Sequence, residues 1–466
     1  MIIKQINKSL FYSSIKNKKL LISTYPFRVL RINKSADINK NLISELTKNK
    51  IITSADIPNY FSLELIFSTN CNLSCTYCYA KEKKTGCYGL PITNMDKDIV
   101  KKAINFSLSN LVRNIKLNKN NSGVFDLYFM GGEPLLNRDV LYFTLRYVHL
   151  KTKEIKKKYN LNIKVQPAIS TNGVLINNKD ALFFRKYNFI YIGITIDGRH
   201  HNKYRKFSNG KGTLEIILNK IKLLTKNKVN LKIVSVVPPG DVKNINKNLN
   251  FFKSLGLLSK ARRVSILPRA PNTNELFRSC PVPQITMLKL KRKQQSLRYS
   301  IKEKEIFAKN IIEMSKKFNI DERDLKRKMF ELINTGGSKY HCPAGIWKIS
   351  VIPDGSIYPC HQLVNIKKFY MGNLALINNR QKRFNKVRKY FLKRTVFKID
   401  KCKKCLYQTI CPPLVDCPAR SLLEEKNLYK TPQYCNIYFP YIKNVFQSFI
   451  SLKIIKENNH DKMEKN

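Results

Sequence analysis

The chain has 466 residues, 43% of them hydrophobic, which is room for two or three domains with cores of their own and ordinary for a soluble globular protein. Its 87 Lys and Arg against 31 Asp and Glu leave a formal charge of +56, read either as a polyanionic partner such as nucleic acid or as drift toward Lys, Asn and Ile. The lysines are spread along the whole chain with no Arg-rich arm, so drift is favoured over nucleic acid; either way the field attracts acidic ligands, acidic peptides included, at low salt.

In chain order, residues 1–60 form a small α+β unit, with strand-like Lys19–Ser23 and Phe27–Ile32 and helical spacing over Ile38–Lys48. Met1–Leu10 has no continuous apolar core of the kind a signal peptide carries. From residue 61 to 270 the rhythm changes. Strands are expected at Leu63–Phe67, Val124–Phe129, Ile163–Ile169, Ile190–Ile196, Leu231–Val237 and Val264–Leu267. Lys-faced amphipathic helices are expected between them at Asp96–Leu117, Arg138–Lys158, Lys179–Lys186, Thr213–Lys226 and Asn244–Leu255. That alternation is an α/β pattern of six parallel βα units, short of the eight of a closed barrel. Residues 271–340 read as a helical bridge, 341–441 as a cysteine-rich module and 442–466 as a C-terminal helix and tail. No stretch approaches the roughly 20 apolar residues a membrane span needs. Ten of the twelve cysteines fall in two clusters, which suits metal-bound thiolates in a reduced cytoplasm better than disulfides.

The chemistry sits at strand ends, where βα barrels gather their active sites. After the first strand, Cys71, Cys75 and Cys78 form a C-x3-C-x2-C triplet. Three thiolates on one loop can hold three irons of a cubane [4Fe–4S] cluster and leave the fourth open; the alternatives are a zinc knuckle or chance. After the second strand, Gly131 and Gly132 would let backbone approach a ligand and show their carbonyls to an ammonium, beside the carboxylate of Glu133; a plain turn is the alternative. Ser170-Thr171-Asn172-Gly173 follows the third strand and could bond a ribose or carboxylate, or simply cap a helix. The fourth strand ends in Asp197 and Gly198, with Arg205 beyond; a hydroxyl and a carboxylate ligand are their functional readings, an Asx turn and a surface cation their structural ones.

These motifs together resemble the radical S-adenosylmethionine (SAM) superfamily. The triplet matches its C-x3-C-x-aromatic-C signature with Tyr77 at the aromatic position, and G-G-E-P, S-T-N-G and I-D-G match its later strand ends. The resemblance implies a partial (β/α)6 radical SAM barrel in which Cys71, Cys75 and Cys78 ligate the cluster. SAM's amino and carboxylate groups chelate the open iron, and electron transfer cleaves SAM to a 5′-deoxyadenosyl radical that takes a substrate hydrogen. It assigns Gly131, Gly132 and Glu133 to the amino group, Ser170 and Asn172 to the ribose or carboxylate, and Arg205 to the carboxylate, with Tyr77 and Asp197 beside the cofactor. A low-potential donor such as flavodoxin or ferredoxin is implied as partner.

The second cysteine cluster, Cys342, Cys360, Cys402, Cys405, Cys411, Cys417 and Cys435, resembles the SPASM extension with two auxiliary [4Fe–4S] clusters; a zinc ribbon is the alternative. The interleaved family pattern puts Cys402, Cys405, Cys411 and Cys435 on one cluster and Cys342, Cys360 and Cys417 on the other. Two departures stand out. Five residues separate Cys411 from Cys417 where the family has three. The position before Cys342 offers no cysteine, so that cluster has an open iron or is completed by His341 or Cys280.

The wording around Cys342 and Cys360 resembles maturases that install thioether crosslinks in ribosomally made peptides and, more loosely, anaerobic sulfatase maturases that make formylglycine. The latter have an aspartate where His361 stands, and an imidazole suits a proton acceptor there, a structural histidine being the alternative. The leading expectation is thus a peptide or protein maturase forming a Cys-to-carbon thioether. Formylglycine formation, a basic nucleic-acid binder and a zinc scaffold are the alternatives, and residues 1–60 could be a reduced element that binds an acidic leader peptide.

Overall fold

The computed structural model describes strand backbones between residues 2 and 32, most of 58–268, short helical pieces within 300–310, and most of 338–447. The chain divides into two compact units: Met1–Ile51 with Tyr299–Cys342 and Thr395–Asn466, and Ile52–Arg298 with Pro343–Arg394.

In the first unit, β1 (Ile2–Asn7), β2 (Leu10–Ile15), β3 (Lys18–Thr24) and β4 (Phe27–Ile32) make a four-stranded antiparallel meander in sequence order. The sequence suggested only the last two strands; Ile2–Asn7 and Leu10–Ile15 mix Lys, Gln, Asn and Ser with their apolar residues and give a weak two-residue period. The helix expected at Ile38–Lys48 and most of the expected bridge lie outside the described residues.

The second unit is built on a nine-stranded sheet. β5 (Tyr60–Ile66), β6 (Ser122–Met130), β7 (Asn162–Thr171), β8 (Tyr191–Thr195), β9 (Leu231–Val237) and β10 (Arg263–Pro268) lie side by side in chain order, every pairing parallel. These are the six expected strands. The apolar runs of β5 to β9 are buried as a helix-covered parallel sheet requires. The crossovers are α1 (Lys97–Leu117), α2 (Arg138–Tyr159), α3 (Asn178–Lys186), α4 (Leu214–Lys226) and α5 (Ile245–Ser254). Each buries one apolar stripe and turns its lysines outward. Local capping fixes where they start: Asp96 accepts from Ile99 N at 2.7 Å, and Asn177 with Asp180 forms a reciprocal capping box on α3.

The sheet does not stop at β5. β11 (Lys348–Val351) pairs parallel to it, with Ser350 opposite Glu64, and β12 (Ser356–Tyr358) and β13 (Gly372–Asn373) follow antiparallel. The turn between β11 and β12 is Pro353-Asp354-Gly355. Gly355 has φ +85, and a Cβ there would lie 2.9 Å from Ile99 on α1. Here the β11–β13 segment of the cysteine-rich module continues the barrel sheet. A second-unit helix, α6 (Lys382–Leu392), follows, and α7 (Pro418–Glu425) begins just after Cys417 in the first unit.

Candidate active site

Beyond β5 the chain turns into the cysteine triplet, and backbone bonds hold that loop from two sides. Phe67 N donates to Met130 O, Gly132 N to Ser68 O and Glu133 N to Asn70 O, each within 2.9 Å. On the other side Ser74 N donates to Lys206 O at 2.7 Å and Thr76 N to Tyr204 O at 2.9 Å. The sulfurs of Cys71, Cys75 and Cys78 share this pinned loop. Burial pushes the Cys71 thiol up to about 12, the Leu73 N–H opposes, and the charges of Glu133, Cys78 and Cys75 add to the rise. Three thiols on one loop are a soft donor set, which thiophilic iron satisfies by displacing their protons.

The glycines of G-G-E-P answer to this loop. A Cβ on Gly131 would lie 2.4 Å from Ser68 O, and one on Gly132 would lie 2.1 Å from Asn70 O. Gly131 also sits at φ +151. The close approach expected toward a ligand is therefore first an approach of two strand ends to each other, which fixes where Cys71 begins.

Glu133 is fully buried. Its Oε1 accepts from Thr171 Oγ1 at 2.7 Å and Leu135 N at 3.0 Å, and its Oε2 accepts from Asn172 N at 2.8 Å. Burial raises its pKa against the pull of those donors and of Arg205. The carboxylate thus ties the end of β7 to the end of β6, with about one of its four acceptor positions left over. Asn172 turns its amide to Asn72 inside the cysteine loop, Nδ2 to Oδ1 at 2.7 Å. The Ser170 hydroxyl bonds Tyr128 instead, in the register row that holds Glu64 and Tyr128 side by side.

Tyr77, Asp197 and Arg205 are joined. The Tyr77 hydroxyl donates to Asp197 Oδ2, Arg205 Nη1 donates to that hydroxyl at 3.1 Å, and Val236 N donates to Asp197 Oδ1 at 3.0 Å. Asp197 is 1% exposed and has a partner on both oxygens, so the hydroxyl it binds is the tyrosine's own. The Arg205 guanidinium loses solvation on burial, yet the charges of Tyr77, Cys75 and Asp197 raise its pKa, which places the cation beside the triplet. Its Nε is buried without a hydrogen-bond partner.

A buried polar group that sequence reading missed lies one turn of chain below. Glu64, 1% exposed on β5, bonds Lys348 Nζ at 2.5 Å, His361 Nδ1 at 3.0 Å, His361 N at 2.9 Å and the Ser350 hydroxyl. Burial alone would raise its carboxyl; Lys348 and then His361 outweigh that and hold it well below the usual carboxylate range. His361 is thereby anchored through Nδ1, with its ring 6.1 Å from Tyr79, the residue after Cys78. A lone carboxylate inside the apolar run Leu63-Glu64-Leu65-Ile66 was the available signal.

In the first compact unit Cys402, Cys405, Cys411 and Cys435 converge. The Cys411 thiol is raised by burial first and then by Cys402, Cys405 and Cys435. Cys405 is pushed up to about 12 by burial, against the Tyr407 N–H and with the help of Cys435. His341 was one candidate to complete the Cys342, Cys360 and Cys417 set. Its Nδ1 lies 2.8 Å from Asp416 Oδ2 and its Nε2 bonds the Gln408 carbonyl. The other candidate, Cys280, lies outside the described residues.

Comparison with known proteins agrees with this architecture. Residues 65–251 match the radical SAM superfamily. The cysteine-type anaerobic sulfatase-maturating enzyme of Clostridium novyi (strain NT) is 28% identical over 360 residues, covering 74% of this chain and 84% of that enzyme. Its counterpart in Clostridium perfringens (strain ATCC 13124) is 24% identical over 400 residues, 83% of this chain and 96% of that one. The fold is that of the solved structure of native anSMEcpe with bound AdoMet, at a TM-score of 0.60 and 23% identity, over 84% of this chain and 98% of the other. A radical SAM domain implies a [4Fe–4S] cluster and SAM. Residues 65–251 thus match the radical SAM superfamily, and with the sulfatase-maturating relatives that match marks the chain as an enzyme.

Proposed function

We propose that this enzyme is a maturase that oxidises a cysteine side chain of a peptide or protein by two electrons. The observation that carries this reading is the reach of the likeness to the C. novyi maturase, 360 residues, well beyond the superfamily domain at 65–251. When bound on Cys71, Cys75 and Cys78, the cluster with SAM supplies a carbon radical able to take a substrate hydrogen atom.

The protein's part is to hold and shield. In this reading the Gly131 and Gly132 carbonyls, with the spare acceptor position of Glu133, receive the SAM ammonium. Ser170 and Asn172 face its ribose or carboxylate, and Arg205 takes the carboxylate. Tyr77 and Asp197 steady Arg205. His361, oriented by Glu64 through Nδ1, offers Nε2 to a substrate proton. Cys402, Cys405, Cys411 and Cys435 hold one auxiliary [4Fe–4S] cluster and Cys342, Cys360 and Cys417 another. Flavodoxin or ferredoxin would supply electrons, in the cytoplasm, and the β1–β4 sheet offers edge strands to which an acidic leader could add. Among the described residues no helix is long and apolar enough to cross a membrane.

Two products are compatible with this chemistry. The relatives favour formylglycine, in which the oxidised cysteine is hydrolysed to an aldehyde. His361, standing where the resembled sulfatase maturases have an aspartate, favours a Cys-to-carbon thioether. Anaerobic incubation with SAM, reductant and a cysteine-containing peptide, followed by mass spectrometry, separates them. A two-hydrogen loss with the thiol blocked to alkylation is the thioether, and an aldehyde is formylglycine. A peptide recovered unchanged while SAM is cleaved would refute peptide maturation.

A further inference from the structure

His341 and Asp416 are both buried, and each belongs to one of the two places where this chain departs from the SPASM pattern. His341 precedes Cys342, where the missing cysteine is expected nearby; Asp416 is the last residue of the lengthened spacer between Cys411 and Cys417. The ring of His341 bonds a carboxylate at one nitrogen and a carbonyl at the other.

This pair lies against the four-thiol set. Ligand-capable atoms of His341, Asp416 and Cys402 all fall within 4.8 Å of one another. Asp416 is also felt at Cys411 and Cys435, whose thiols it raises in addition to the larger effect of burial. The longer spacer therefore brings a carboxylate into a dry pocket of sulfurs. A carboxylate buried beside thiols is costly unless it is partnered, and His341 is one group that partners it. Backbone bonds hold the residues just before His341, Ser338 N to Thr409 O at 2.8 Å and Val396 N to Lys339 O at 3.0 Å.

We propose that His341 and Asp416 are positioning residues that form a paired outer wall of the Cys402–Cys405–Cys411–Cys435 site and set the reduction potential of the cluster held there. The proposal rests on the auxiliary-cluster reading above. Asp416 makes added negative charge on the cluster less favourable, and the His341 ring, 2.8 Å from its Oδ2, fixes the carboxylate and tempers that effect. Groups that touch ligands rather than the metal commonly tune a site in this way.

The test uses the full chain, reconstituted anaerobically with iron and sulfide, with iron counted and midpoint potentials read by EPR-monitored redox titration. Asp416→Asn keeps the shape and an acceptor for His341 but removes the charge. It should retain its iron and shift the midpoint of one cluster upward, leaving the other signals in place. His341→Leu should shift the same midpoint downward, and the double variant should return it toward the wild-type value. If His341→Leu does not fold, Asp416→Asn decides alone. Midpoints unchanged in Asp416→Asn overturn the proposal, since a merely structural pair would alter melting and not potential. Wild-type protein holding only about four irons per chain would instead refute the auxiliary-cluster reading, and the proposal with it.

Discussion

Tyr77 and Asp197 stand 120 positions apart in sequence and share a hydrogen bond from phenol to carboxylate, with Arg205 Nη1 bonded to the same phenol at 3.1 Å. The aromatic residue of the cysteine motif thus reaches across to the fourth barrel strand and fixes a cation beside Cys75. In Tyr77→Phe the ring remains packed near Tyr204 but Asp197 loses its donor and Arg205 its anchor. SAM binding should weaken roughly tenfold, the size of one hydrogen bond to a charged group, with iron content unchanged. Equilibrium dialysis against SAM on the reconstituted protein checks this.

Gly132→Ala should prevent the triplet from loading iron. The added carbon would sit 2.1 Å from Asn70 O, a backbone atom that cannot swing aside, so the Gly132 N to Ser68 O and Glu133 N to Asn70 O bonds must break together. Iron analysis after reconstitution should show about four irons fewer than wild type.

Thr171→Val removes one of three donors from the buried Glu133 carboxylate without changing side-chain volume much. Leaving a buried acceptor short should cost about 1–3 kcal/mol of stability. Urea denaturation should show a lower midpoint with an unchanged slope.

Glu64 gives a pH dependence with a definite sign. Its carboxyl is held below the usual range in the folded protein, so its contribution is present above the unfolded value of about 4.3 and is lost as pH falls below it. Lys348→Met removes the principal cation from a carboxylate that is 1% exposed, and should cost about 3–5 kcal/mol while moving acid unfolding to higher pH. Melting temperatures between about pH 3 and 7 read both effects.

The barrel was readable in advance because two different periods alternate along residues 61–270: short apolar runs become β5 to β10, and Lys-faced stretches of 3.6 period become α1 to α5. The site motifs were readable as residue types at strand ends. Their wiring was not. That Asp197 is satisfied by Tyr77, or that Glu133 ties Thr171 and Asn172 to β6, depends on side chains meeting across strands far apart in sequence. The same holds for Glu64, whose partners Lys348 and Ser350 arrive on β11, a strand of four residues, and His361 just after β12. β1 and β2 escaped for a local reason, since their polar residues blur the alternation.

The central claim is that Cys71, Cys75 and Cys78 hold the cluster that cleaves SAM. It is tested most directly by reducing the reconstituted protein with SAM and measuring 5′-deoxyadenosine, for wild type and for Cys75→Ala. Wild type should form 5′-deoxyadenosine, and Cys75→Ala should form none while keeping the iron bound outside the triplet. Equal formation by the two proteins would contradict the assignment.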